Sequence, residues 1–139
     1  MANKKIMTLI LLIVAVMFVA SVAMGAATAS KEVTIKDKKI NIPDGFEEKK
    51  TKDLDENTVS KTFENDKGEK LIVSVHKAPG KITKVTLDDG EVEKQINGVN
   101  GAFKESKTKF TYATEDQKYL ITVRASDLKL IEDFVGMNK

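Results

Sequence analysis

Cysteine is absent from all 139 residues. Its absence excludes disulfides, thiolate metal sites, a thiol nucleophile and a lipid-modified anchor cysteine. Tryptophan is missing too, His76 is the single histidine, and no Asn-x-Ser/Thr acceptor occurs. Nor is there an excess of one charge sign in the body of the chain. The formal net charge of +2 is owed to Lys4 and Lys5, and Ser30–Lys139 holds 21 Lys+Arg against 21 Asp+Glu. Nucleic acid is therefore not an expected partner, because phosphate binding draws on surplus Lys and Arg. Without cross-links, a body of about 110 residues must be held by ordinary burial, and domains of that size fold alone. The length allows one domain plus a targeting segment.

What the chain does contain is an early block free of ionisable groups. Lys4 and Lys5 are the only such side chains before Lys31. Ile6–Ala23 is eighteen residues with only Thr8 and Ser21 polar, and eleven of the eighteen are Leu, Ile, Val or Phe. As a helix it would span about 27 Å, close to a bilayer's hydrocarbon thickness. Each of those eleven favours insertion by roughly 0.3–0.6 kcal/mol, so entry into the membrane is expected. Behind it, Ala27-Thr28-Ala29 is the small-x-small pattern that a signal peptidase cuts, here after Ala29. Against that, the apolar core exceeds the roughly 7–15 residues usual in a signal peptide and suits a retained anchor. Lys31, Lys36, Lys38 and Lys39 blur the charge bias, but a short basic leader ahead of an apolar run is the export pattern. Both alternatives put residues 1–29 in a signal peptide or anchor and 30–139 in a single extracytoplasmic domain.

Alternation of period two, the mark of a sheet with one buried face, organises that domain. It is clearest at Phe110 and Tyr112 and again at Tyr119, Ile121 and Val123, with Thr114–Lys118 between them at hairpin-loop length. Asn97-Gly98 and Asn100-Gly101 each offer the positive φ of a tight turn. Upstream, Val33, Ile35, Ile40 and Ile42 predict a hairpin turning at Asp37-Lys38. Pro43-Asp44-Gly45 stops it, and Phe46 is expected over one end of the core. Thr58–Phe63 and Lys70–His76 predict a second hairpin around Asn65-Asp66-Lys67-Gly68, with Val59, Phe63, Leu71, Val73 and Val75 inward.

Between these hairpins, Glu47–Asn57 has Leu54 as its one apolar residue and is expected to be an irregular surface loop. Lys81–Leu87 reads equally as a short strand or a turn of helix, Asp88-Asp89-Gly90 ends it, and Glu91–Ile96 leads into the final meander. Ser126 as N-cap, Asp127 in the first turn and Gly136 as stop bracket a helix. Leu128, Ile131, Phe134 and Val135 fall on its apolar face. The fold class is α+β. An N-terminal apolar signal or anchor helix precedes a curved antiparallel sheet of about seven strands, with a C-terminal amphipathic helix packed on one face.

Chemistry-bearing residues are few. His76 ends a strand on the face opposite Leu71, Val73 and Val75. Without a second histidine or a cysteine it reads as a partly exposed strand residue rather than a general base or metal ligand. Ser60, Ser74, Ser106 and Ser126 lack the Gly-x-Ser-x-Gly setting of a hydrolase. Asp53-x-Asp55-x-Asn57, with Glu64 eleven residues after Asp53, has the spacing of a calcium loop. Thr58 stands where that loop's glycine turns, however, and Lys61 fills a ligand position. Asp88, Asp89, Glu91 and Glu93 read as solvated turn charges. Phe110, Tyr112 and Tyr119 read as core rather than as a stacking platform. Lys49, Lys50 and Lys52 could meet anionic lipid, offset by Glu47, Glu48 and Asp53 beside them. No catalytic residue, metal ligand or cofactor is assigned.

Ile42-Pro43-Asp44-Gly45-Phe46 after a short hairpin resembles the opening of small exported domains found in methanogenic archaea and some bacteria. Ile96-Asn97-Gly98, Gly101-Ala102-Phe103, Tyr112, Tyr119-Leu120-Ile121 and a C-terminal helix are similar to the ending of those domains. They are similar also to a Gram-positive exported domain of unknown function related to lipoprotein-carrier-like sheets, and in layout to the photosystem PsbP-like sandwich. No tryptophan precedes the final strand, where the Gram-positive pattern has one. The resemblance implies an uncharacterised extracytoplasmic domain with no catalytic residues to carry over. The functional expectation is a non-catalytic binding module at the cell surface. Its partner would be a protein, glycan or lipid, with membrane contact through residues 6–23 if the leader stays. Such a module predicts an apolar groove between helix and sheet, or an exposed sheet edge. Two other readings stand beside it: a small calcium-dependent binder or enzyme using the Asp53–Glu64 loop or His76, and a carrier of lipid or lipoprotein.

Overall fold

The computed structural model describes residues 29–139. The apolar run at 6–23, expected to be a signal or anchor, lies outside the described residues; among those described, no helix is long and apolar enough to cross a membrane. The first two strands, β1 (Ser30–Ile35) and β2 (Lys38–Pro43), pair only with each other. The other seven are β3 (Glu47–Asp55), β4 (Thr58–Glu64), β5 (Lys70–Lys77), β6 (Val92–Ile96), β7 (Val99–Lys104), β8 (Lys109–Ala113) and β9 (Tyr119–Ala125). They form one antiparallel sheet in the order β3-β4-β5-β9-β8-β7-β6. Helix α1 (Leu128–Met137) follows directly. The α+β class, the antiparallel sheet of seven strands and the C-terminal helix are as the sequence predicts.

Alternation decides which face is which. Phe63, Leu71, Val73, Val75, Phe110, Tyr112, Ile121 and Val123 all point to one face and are buried to within 1% of full occlusion. Two elements cover them. Helix α1 lays Leu130, Ile131, Phe134 and Val135 on the sheet, and the β1–β2 hairpin adds Ile35, Ile40 and Ile42 beside it, in one continuous core. Asn138 joins the two covers. Its side chain accepts from the Asn41 N–H at 2.7 Å and donates to the carbonyls of Asn41 at 2.9 Å and Phe134 at 2.8 Å. Beneath, the Tyr112 hydroxyl donates to the Asn138 carbonyl at 3.2 Å, and burial pushes that phenol's pKa up.

Several local expectations need correction. Glu47–Asn57 is mainly strand β3, nine residues long and exposed throughout, at one edge of the sheet. A strand needs a backbone partner rather than an apolar face, and β4 supplies it. Charged side chains and two register bulges, at Glu48/Lys50 and Asp53/Asp55, blunt the outer edge against further pairing. The first hairpin turns at Lys36-Asp37, both with positive φ, rather than at Asp37-Lys38. Either register sends the same isoleucines inward, so alternation could not choose between them. Asp127 rather than Ser126 is the N-cap, accepting from the Leu130 N–H at 3.0 Å, while the Ser126 hydroxyl accepts from the Lys70 N–H at 2.8 Å. The helix runs through Gly136 to Met137, and Leu128 is 37% exposed, its expected place taken by Leu130. Lys81–Leu87 is neither strand nor helix.

Asn97-Gly98 is the expected tight turn, with φ of 50° and 81°. Asn100-Gly101, which carries the same dipeptide, lies inside β7 instead. Gly101 is there for space: a Cβ on it would come within 2.7 Å of the Phe110 ring and would also press on the Thr111 carbonyl. Overpacking of this kind costs about 1–3 kcal/mol. Gly101→Ala is accordingly expected to lower the unfolding free energy from urea melts by that amount, and an unchanged midpoint would mean that Phe110 can move aside freely.

Candidate functional site

The inner face is filled with packed side chains, so the surface available for chemistry is the outer one. Its side chains form cross-strand rows. Thr58, His76, Leu120 and Ala113 stand opposite one another across β4, β5, β9 and β8. Ser60, Ser74, Thr122 and Thr111 make a second row, in which the Thr111 and Thr122 hydroxyls share a hydrogen bond of 3.0 Å. Thr62, Ile72, Arg124, Lys109 and Lys104 make a third. Ser/Thr and β-branched residues suit such half-covered positions.

Because β9 lies between β5 and β8, the segment 78–91 has to pass from β5 to the far edge strand β6 over this outer face. Its first half is tied to the β8–β9 turn. Ala78 N–H donates to the Lys118 carbonyl at 3.0 Å, Ile82 N–H to the Gln117 carbonyl at 2.9 Å, and the Gln117 amide returns a bond to the Ile82 carbonyl. Its second half is tied by Glu91. One carboxylate oxygen accepts from the Asp88 N–H at 2.8 Å and the other meets Lys109 Nζ at 3.2 Å, with the Glu91 side chain only 3% exposed. Two clefts of about 360 and 410 Å³ open on either side of Ile82, Lys84 and Val85. Glu93, Asn100 and Ala113 line the first; His76, Thr111, Leu120 and Thr122 floor the second.

The residues singled out in the sequence fall in separate places. His76 does face outward, into the second cleft, with Nδ1 2.7 Å from the Thr58 hydroxyl. Asp55 lies beyond Thr58, and the Asn57 N–H and the Thr58 hydroxyl hold its carboxyl below the usual carboxylate range. The supposed calcium loop is the β3–β4 hairpin. Asp53 sits opposite Val59 near its turn, and Glu64 sits opposite Glu47 at the other end, so a single ion cannot be ringed by both. Among the described residues no three His, Asp or Glu side chains gather closely enough to hold a metal. Phe110 and Tyr112 fill the core, while Tyr119 is partly buried beneath the Lys38 ammonium, 5.8 Å from its ring centre. Phe103 is 9% exposed and carries the Lys94 ammonium above it at 5.3 Å.

The hydroxyl row and the crossover were not found from the sequence. Positions of period two pointed to the row, but the row exists only through the strand order, and no local pattern announces that β9 inserts next to β5. Chemically the floor offers hydroxyls, one imidazole and a carboxylate–ammonium pair already satisfied. That combination suits holding a small polar molecule. The Glu91 carboxylate is committed to the Asp88 N–H and to Lys109, while His76 and Asp88 share the same cleft.

The Glu91 clasp has a pH signature. The Asp88 N–H first, and Lys109 after it, hold its carboxyl below the ordinary range. The stabilisation is therefore complete above about pH 4.3, the ordinary glutamate value, and is lost as pH falls through the depressed native value. Glu91→Gln is expected to cost about 1–2 kcal/mol at pH 7, between the figures for exposed and buried pairs. The difference from the parent should shrink in urea melts near pH 3. An equal deficit at both pH values would show that charge is not what holds the segment down.

Comparison with known proteins adds a family. No curated protein and no solved structure matches the chain. A match to the family described as Domain of unknown function (DUF4367) covers residues 38–133, from the start of β2 into α1 and across the whole seven-stranded sheet. The chain belongs to that family.

Proposed function

We propose that this protein is an exported, non-catalytic binding module that presents the outer face of its sheet to a partner at the cell surface. The observation that carries this reading is the division of the two faces. One is closed by the helix and the first hairpin, and the other combines a row of hydroxyls with clefts beneath a pinned crossover. Export is supported by the sequence of the leader, with its basic start, its uncharged run at 6–23 and the small residues before Ser30. A non-catalytic role is supported by the scatter of the titratable groups, with His76 on a threonine and Glu91 on a lysine. The apolar groove between α1 and the sheet that a binding module was expected to have is filled by Phe110, Tyr112, Ile131 and Phe134, so the module is placed on the outer face instead, and the carrier reading loses support on the same ground. The strand edge at β3 is exposed but charged and bulged.

Two measurements test the proposal. Intact mass of native protein from membrane and culture-supernatant fractions should give either a chain starting at Ser30 or an intact chain in the membrane. Recovery from the cytosol with Met1-derived residues intact overturns export. Thermal unfolding with added calcium, zinc or magnesium should leave the midpoint unmoved; a midpoint that climbs with one of these ions would restore the metal-dependent reading.

A further inference from the structure

At one end of the outer face the third row places cations where a sheet ordinarily avoids them. Arg124 on β9 stands directly opposite Lys109 on β8, and Lys109 directly opposite Lys104 on β7. Like charges in direct register repel and destabilise a sheet. Glu91 answers Lys109, and Lys104 leans toward the same turn, since a Cβ on Gly90 would come within 3.2 Å of its Cε. Arg124 has no such answer. None of the ion pairs formed by the described residues involves Arg124, Lys70 or Lys107. These three line one small cleft of about 210 Å³ together with Ile72, Ala125 and Ser126.

The polar groups around this cleft are unequally spent. The Lys70 carbonyl already accepts from the Ser126 N–H at 3.2 Å, and the Thr108 carbonyl from the Ala125 N–H at 3.2 Å. The Ser126 hydroxyl accepts from the Lys70 N–H, so its own proton remains to be donated. Asp127, next along the chain, turns its carboxylate to the helix and caps Leu130. Glu64, opposite Lys70 in register, offsets part of the charge of the three cations Arg124, Lys70 and Lys107. What remains is a set of donors: one guanidinium, two ammonium groups and a hydroxyl, with the Lys70 and Thr108 carbonyls each already accepting one bond. Arginine in particular matches a planar or tetrahedral oxyanion with two parallel N–H bonds.

We propose that the cleft bounded by Arg124, Lys70, Lys107 and Ser126 is an anion site that takes a phosphate group, free or esterified. A phosphate group offers these donors two to four free oxygens, from diester to free ion, and its charge relieves the repulsion along the row. The assignment is independent of export and of the crossover clefts, which lie elsewhere on the face.

Thermal unfolding of the full chain tests it, in inorganic phosphate and separately in dimethyl phosphate, with chloride making up constant ionic strength. The midpoint rises with the logarithm of the anion concentration if the folded state alone binds it. A larger rise with inorganic phosphate identifies a free or monoester group; a larger rise with dimethyl phosphate identifies a diester such as a lipid headgroup carries. Arg124→Gln and Lys107→Gln should each remove most of the rise. In chloride alone, Arg124→Gln should keep or slightly raise the midpoint, because a repelling charge has gone, whereas a merely structural arginine would lower it. No rise with either phosphate beyond the chloride control, or an undiminished rise in Arg124→Gln, overturns the proposal.

Discussion

One constraint shapes the whole molecule: a seven-stranded sheet has an apolar face too wide for one helix to cover. At about 4.8 Å between strands the sheet is roughly 30 Å across, and a helix with its side chains is about 10 Å wide. Left to α1 alone, the outer strands of the inner face would stay wet. The β1–β2 hairpin supplies the missing cover, and its isoleucines meet the same core as the helix phenylalanine Phe134. Asn138 matters because it sits where the two covers abut. It satisfies backbone groups of both the hairpin and the last helical turn, which would otherwise end unpaired over the core. The cover does not reach β3, and every residue of that strand is exposed.

The strand order sets the character of the other face. With β9 wedged between β5 and β8, two blocks adjacent in the sheet are distant in the chain, and the link from β5 to β6 must travel over side chains already in place. Several of the residues beneath it are small or hydroxylated. Ala102 is fully buried and Thr111 half-buried on the side away from the core. A crossover of this length without secondary structure stays put only if pinned, and it is, at Ile82 by the β8–β9 turn and at Glu91 by Lys109. The clefts on either side follow from the pinning.

Much of this was legible from residues. Alternation located the strands that bury one face, and turn chemistry located Asn97-Gly98 and the Asn65–Gly68 loop correctly. What escaped had physical reasons. β3 has no apolar period because neither of its faces is covered, so only the backbone of β4 betrays it. Asn100-Gly101 carries turn chemistry but uses its glycine for clearance over Phe110. Ser126 and Asp127 are both good caps, and the choice between them depended on Lys70, fifty-six residues upstream. The candidate site was hardly legible at all. The neutral balance of charges in residues 30–139 conceals a corner where cations from β5, β9 and the 3₁₀ turn at Glu105–Lys107 converge, because convergence is a property of register rather than of composition.

The position of β9 also governs when the fold can exist. Until Tyr119–Ala125 is available, the chain owns two separate groups of strands, β3–β4–β5 and β6–β7–β8, each with one raw apolar side and no bond between them. Joining them requires the long-range pairing of β5 with β9, whose loop-closure entropy has to be met before the sheet is continuous. A strand so late in the chain thus carries the seam between the two halves of the sheet, and the halves have no other ladder in common.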